Sequence, residues 1–244
     1  MNSTLSLSPK RIFRVLTSIV LTLIILSLIG QFAKNILGHE RLFGFVQLTD
    51  VNGERNIPAW FSSSLLIFSS VLLAVITVVK KSTGARYISH WLGLSLIFLC
   101  LSMDEAISLH ERTIEPLRTG LKATGLFYSA WVLLGAGFVS LILLMYLKFI
   151  GHLPSKTRFL FILAGAMYVG GAIGVELLHG YYLELYGKDM AYALIATVEE
   201  LLEMMGIVVF IYALFSYLQG MIELHVRIDN NKLTRELESH SHLT

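Results

Sequence analysis

Six apolar runs of membrane-spanning length recur along this chain, at roughly 13–33, 58–79, 88–110, 125–147, 159–183 and 190–218. Each is long enough for a hydrocarbon core of about 30 Å at about 1.5 Å per residue. They predict an all-α polytopic membrane protein, a bundle of six transmembrane helices. The composition agrees: 55% of the 244 residues are hydrophobic, 15% are charged and the mean hydropathy is +0.69. A net charge of +2 creates no field that would draw in nucleic acid, so the expected surroundings are the lipid bilayer. Cys100 is the single cysteine and lies inside an apolar run, where packing is its expected role.

The first run has a basic flank and could pass for a signal peptide, but it is about twenty residues long and no small-x-small cleavage pattern follows. It reads as an uncleaved first helix. The expected organisation is an N-terminal segment 1–12, a membrane domain 13–218 with a hairpin-like loop 34–57, and a polar tail 219–244. Lys10, Arg11, Arg14, Lys80, Lys81, Arg86, Lys148, Lys156, Arg158, Arg227, Lys232 and Arg235 fall on one side; the other has Lys34, Arg41, Arg55, Arg112, Arg118, Lys122 and Lys188. The bias predicts cytoplasmic termini in a bacterial inner membrane, with Trp60, Trp91 and Trp131 near the interfaces.

"VNGE" at 51–54 is a turn signal between alternating apolar residues, hence the expected hairpin. Asp50, Asn52 and Glu54 alternate as a calcium loop begins, but no full pattern follows and a simple turn is the reading. Gly170 and Gly174 form a small-xxx-small face suited to close helix packing. His240 and His242 sit in the polar tail, read as a surface end rather than a metal site.

The acids carry the functional signal. Asp104, Glu105, Glu111, Glu176, Glu199, Glu200 and Glu203 lie in or at the ends of membrane segments, with no Lys or Arg in the same apolar cores. Carboxylates in lipid are costly unless they are paired, protonated or bound to a cation. Counted from the cytoplasmic side, residues 88–103, 159–175 and 204–218 span roughly 22–26 Å at about 1.5 Å per residue. The three acid groups therefore share one level, in the outer third of the bilayer. At about 100° per residue, Asp104, Ser108 and Glu111 share a stripe, Glu105 lies at its edge and His110 points elsewhere; Glu176 and His179 share a face. The alternative for the third segment is a charged helical extension into water.

Glu-x-x-His on a helix is the ligand unit of carboxylate-bridged di-metal sites in four-helix bundles. Glu176 and His179 supply one such unit. Glu203 and Asp104 are further direct ligands, and Glu199, Glu200 and Glu111 are bridging or alternative ones. In this motif the chain resembles ferritin-like di-iron proteins. That resemblance covers a few positions of segments 3, 5 and 6 and departs from the family in having one Glu-x-x-His unit instead of two. It implies an oxygen-rich site for a pair of metal ions, iron ahead of manganese or zinc, and oxidoreductase chemistry on a lipophilic substrate. The strings "SMDEAISLHE" and "NIPAWFSS" are also similar to those of small multipass bacterial membrane proteins of uncharacterised function.

Tyr181, Tyr182 and Tyr192 are candidates for hydrogen bonding around the site or for interfacial anchoring, and Met103, Met204 and Met205 read as packing. "HERTI" lacks the second histidine of a zinc peptidase, and no nucleophile elbow, phosphate loop or dinucleotide fingerprint is present. The competing functions are a proton or divalent-cation transporter and a non-catalytic subunit of a membrane complex. The inner halves of segments 3, 5 and 6 continue no ladder of acids, which favours a one-sided site.

Overall fold

The structure is a computed structural model that describes residues 8–241, with side chains described as far as Met221. Nine α-helices form among the described residues and no strand does. They are α1 Pro9–Asn35, α2 Phe45–Thr49, α3 Ile57–Ser82, α4 Ile88–Ile107, α5 Leu109–Leu121, α6 Trp131–His152, α7 Ser155–Val169, α8 Glu176–Tyr186 and α9 Met190–Ser241. Six helical spans are long and apolar enough to cross a membrane: α1, α3, α4, α6, the continuous α7–α8 and the first part of α9. An all-helical bundle is what lipid demands, since a helix satisfies its own backbone polar groups. Residues 1–7 and the side chains of His240 and His242 lie outside the described part.

α9 is the axis of the bundle and packs against α1, α3 and α7. Met204, Ile207, Val208, Val209, Phe210, Ile211, Ala213 and Leu214 are at most 7% exposed, so this stretch is apolar and buried on every side rather than amphipathic. α3 and α4 are joined antiparallel by reciprocal serine bonds. Ser63 Oγ donates to the Ser102 carbonyl at 2.8 Å and Ser102 Oγ to the Ser63 carbonyl at 2.9 Å. Ser70 and Ser95 repeat the exchange at 2.7 and 2.9 Å. Small hydroxylated residues let two backbones approach and hydrogen-bond without water.

Close approach of α7 to α9 does not use the expected glycines. A Cβ on Gly170 or Gly174 would meet nothing within 4 Å. On Gly206 it would lie 2.8 Å from the Tyr168 amide nitrogen, and on Gly171 2.8 Å from the Glu199 carbonyl oxygen. Ala164, Tyr168 and Gly171, spaced four and three residues apart, carry the face toward α9, and Gly170–Val175 forms a π-helical turn linking α7 to α8. Segment 3 departs from expectation too. Ser108 adopts a left-handed conformation (φ 56°, ψ 51°), so α4 ends and α5 starts in a new direction. Asp104, Ser108 and Glu111 therefore share no helical stripe.

The 34–57 loop is helical rather than a β-hairpin: a 3-10 turn, Leu42–Gly44, leads into α2. Asn56 caps α3, accepting from the Ala59 N–H at 3.1 Å, and its amide donates to the Asp50 carbonyl at 2.6 Å. The loop is tied down at two further points: Ser27 Oγ accepts from the Val51 N–H at 3.0 Å, and Asn52 Nδ2 donates to Tyr192 Oη at 3.2 Å. Asn52 is thereby held against Tyr192 near the start of α9.

Candidate metal centre

The π turn determines where α8 points. The Glu176 N–H donates to the Gly171 carbonyl five residues back. In a regular α-helix, residues five apart lie about 140° apart around the axis; one π turn brings them to nearly the same face. Gly171 faces α9, so Glu176 does too. His179, three residues on, follows it.

Glu176, His179 and Glu199 form a buried cluster in which one ligand atom from each lies within 4.8 Å of the others. Their exposures are 8%, 6% and 8%. His179 Nδ1 lies 3.2 Å from Glu176 Oε2 and 3.0 Å from Glu199 Oε2. The two carboxyls are also in hydrogen-bonding contact with each other, and the Ser129 hydroxyl sits beside Glu176. Ser129 reaches this depth because residue 180 is glycine; a Cβ there would press on the Ser129 side chain and lie 3.1 Å from its amide nitrogen.

The hydrogen-bonding inventory does not close. Nδ1 carries at most one proton and faces two carboxylates. Glu199 Oε2 has no aligned hydrogen bond, and His179 Nε2 has no partner. The imidazole is held by its ring contact with Tyr192, at 4.2 Å between centroids. Each buried unsatisfied group costs about 1–3 kcal/mol, large against a typical net stability of about 5–15 kcal/mol. A cation between Nδ1 and the carboxylates would satisfy both acids at once.

The cluster is one wall of a cavity of about 310 Å³. Asp104, Glu111, Glu200 and Glu203 line the same cavity, outside the converging trio. Three residues join them that sequence reasoning set aside or left unassigned: Glu54, Glu105 and His110. His110 does not point elsewhere. Beyond the Ser108 break it turns back to Asp104, whose Oδ2 lies 2.8 Å from Nδ1 and whose Oδ1 accepts from the His110 N–H at 2.9 Å. Asp104 thus caps α5 with both oxygens engaged. Burial works against a charge on His110, but the Asp104 hydrogen bond and charge outweigh it and hold the imidazole above its ordinary pKa. Burial, the Glu111 charge and a hydrogen bond shared with Glu111 push Glu54 up to about 7. Nothing in the spacing of "VNGE" reveals Glu54 as a cavity residue, because its position depends on the folded-back loop.

Among the described residues, ion pairs to the cavity acids come only from His110 and His179. Tyr181 is exposed, and Tyr182 Oη donates to Asp189 at 2.9 Å, outside the cavity. Tyr192 is the one member of that group that reaches the site. The family described as a domain of unknown function (DUF8692) matches residues 15–218. No curated protein and no solved structure matches the chain.

Proposed function

The chain belongs to the DUF8692 family, and from the geometry of its buried cluster we propose that it is a membrane metalloprotein whose centre is Glu176, His179 and Glu199. The observation that carries this reading is the single Nδ1 facing two buried carboxylates. The single Nδ1–H can donate to only one of them at a time; a divalent cation binds both and neutralises charge that lipid cannot solvate. Two carboxylates and one imidazole suit iron, manganese or zinc, and the scarcity of nitrogen and sulfur donors favours iron. Glu200 and Glu203, on the same helix and cavity as Glu199, are the residues that would hold a second ion. Asp104 would have to exchange its contacts with His110 to join them. A bound metal would supply Lewis-acid or redox chemistry, and we assign the protein to di-metal oxidoreductases acting on a lipophilic substrate. The protein's own contribution is a fixed imidazole and a set of carboxylates, with residues 52–54 tied to Tyr192 at the cavity wall.

A transporter needs a path across the bilayer. The space inward of the acids is lined by Leu94, Phe98, Ile142 and Phe210, which supports a one-sided site. The test is metal analysis of detergent-purified protein from cells supplied with iron, manganese and zinc. Wild type should retain metal stoichiometrically, and Glu176→Ala and Glu199→Ala should each lose at least tenfold. A metal-free wild type would overturn the reading, and Glu199→Gln-sensitive ion flux in liposomes would replace it with transport.

A further inference from the structure

Directly inward of the acid cavity lies a second one of about 480 Å³, walled by α4, α6, α7 and α9. The two share Leu101, Phe138, Val139, Tyr168 and Val169, so they meet end to end. The inner space has a structural cause. α6 touches its neighbours at both ends and stands off between. At the inner end, Tyr146 Oη donates to the His90 carbonyl at 3.1 Å, and Phe149 packs edge-on to Trp91 at 5.0 Å. At the outer end Trp131 packs on His110 at 4.8 Å. The stacked pair Phe98–Phe210, 4.5 Å apart, forms the floor. Small residues on α7, Gly165 and Ala166, leave the gap unfilled.

We propose that this cleft binds the hydrocarbon chain of a long-chain membrane lipid with a neutral, oxygen-bearing head, and presents that head to the acid cavity. Three observations select this occupant. The lining on α6 runs from Phe138 to Ile150, about 18 Å at about 1.5 Å per residue. That is over half of a hydrocarbon core of about 30 Å and matches an extended chain rather than a compact solute. Leu143 and Ile162 are 52% and 56% exposed at the rim, so the cleft opens sideways into the bilayer. The head would arrive in a cavity lined by eight acids against Arg118 and Lys188, where a phosphate would meet an excess of like charge and a hydroxyl or carbonyl would not. Tyr168, at the junction of the two cavities, stands where chain and head would join. The inference deepens the proposed function by naming a substrate class, and it rests on that reading only for what happens at the head.

The test uses the full chain in detergent, with hexadecanol as probe and dipalmitoylphosphatidylglycerol as the anionic comparison, read by native mass spectrometry together with metal content. A Cβ on Gly165 meets nothing within 4 Å, so Gly165→Phe fills the cleft without a backbone clash. Wild type should hold one hexadecanol at least tenfold more tightly than the anionic lipid. Gly165→Phe should lose that adduct at least tenfold with metal content unchanged. Ala166→Trp is the second variant should the first fail to fold. Equal retention of both lipids, or hexadecanol binding indifferent to both substitutions, overturns the proposal. A metal-free protein that still selects hexadecanol sinks the metal reading and leaves this one standing.

Discussion

His179 is fixed between Glu176 and Glu199, and its far nitrogen has no partner. Removing the ring takes away the only nitrogen ligand of the cluster. His179→Ala should therefore cost metal as fully as either glutamate variant, measured by metal content after gel filtration. Glu54 offers a separate residue-scale test. Its folded-state pKa, about 7, lies above the ordinary value of 4.5. Folding is thus favoured with Glu54 protonated, and that advantage is lost as pH rises from about 4.5 towards 7. Solvent screening at this partly open position reduces the effect to about 1 kcal/mol. Glu54→Gln should raise the thermal midpoint by roughly 2–4 °C at pH 8 and leave it nearly unchanged at pH 4, followed by melting in detergent. An equal shift at both pH values would show that titration is not the cause. The sequence made the cost of the intramembrane acids readable, because residue type and depth suffice for that. It could not show which acids meet, since that depends on side-chain reach across helices.

At the scale of elements, the spans and the common level of the acids were legible because apolar length and rise per residue are nearly constant. Azimuth was not, and it failed at two defects. The left-handed Ser108 breaks the 100° count that had placed Glu111 with Asp104 and turned His110 away. The π turn at Gly170–Val175 swings Glu176 toward α9, while the packing face runs through Ala164, Tyr168 and Gly171 rather than Gly170. "GGAIG" is the only local hint, and it signals close packing without saying which face. Inserting one alanine between Val175 and Glu176 should keep the helix continuous and rotate Glu176 by about 100° away from Glu199. Far-UV circular dichroism should then show the parent's helix content while the metal is lost. Metal retained by the insertion variant would show that the azimuth set by the turn does not aim the site.

For the molecule as a whole, an even number of spans puts both ends of the 9–221 domain on one side. The acid cavity lies beside the 50–56, 108–130 and 187–189 connections, on the opposite side. The bias in basic residues predicts that the first side is cytoplasmic. A reporter active only in the cytoplasm should therefore work when fused after Met221, and one active only outside should work when inserted after Ala123; the reverse pattern would invert the molecule. α6, pinned by aromatic contacts at its two ends, leaves a space between them that faces lipid rather than water. For anything drawn from that side, aqueous concentration has no meaning. Occupancy follows mole fraction in the membrane, and adding detergent dilutes the ligand even when nothing is removed. A preparation washed in excess micelles could thus lose what the cell had loaded, and half-saturation for such a molecule belongs in mole per cent of lipid.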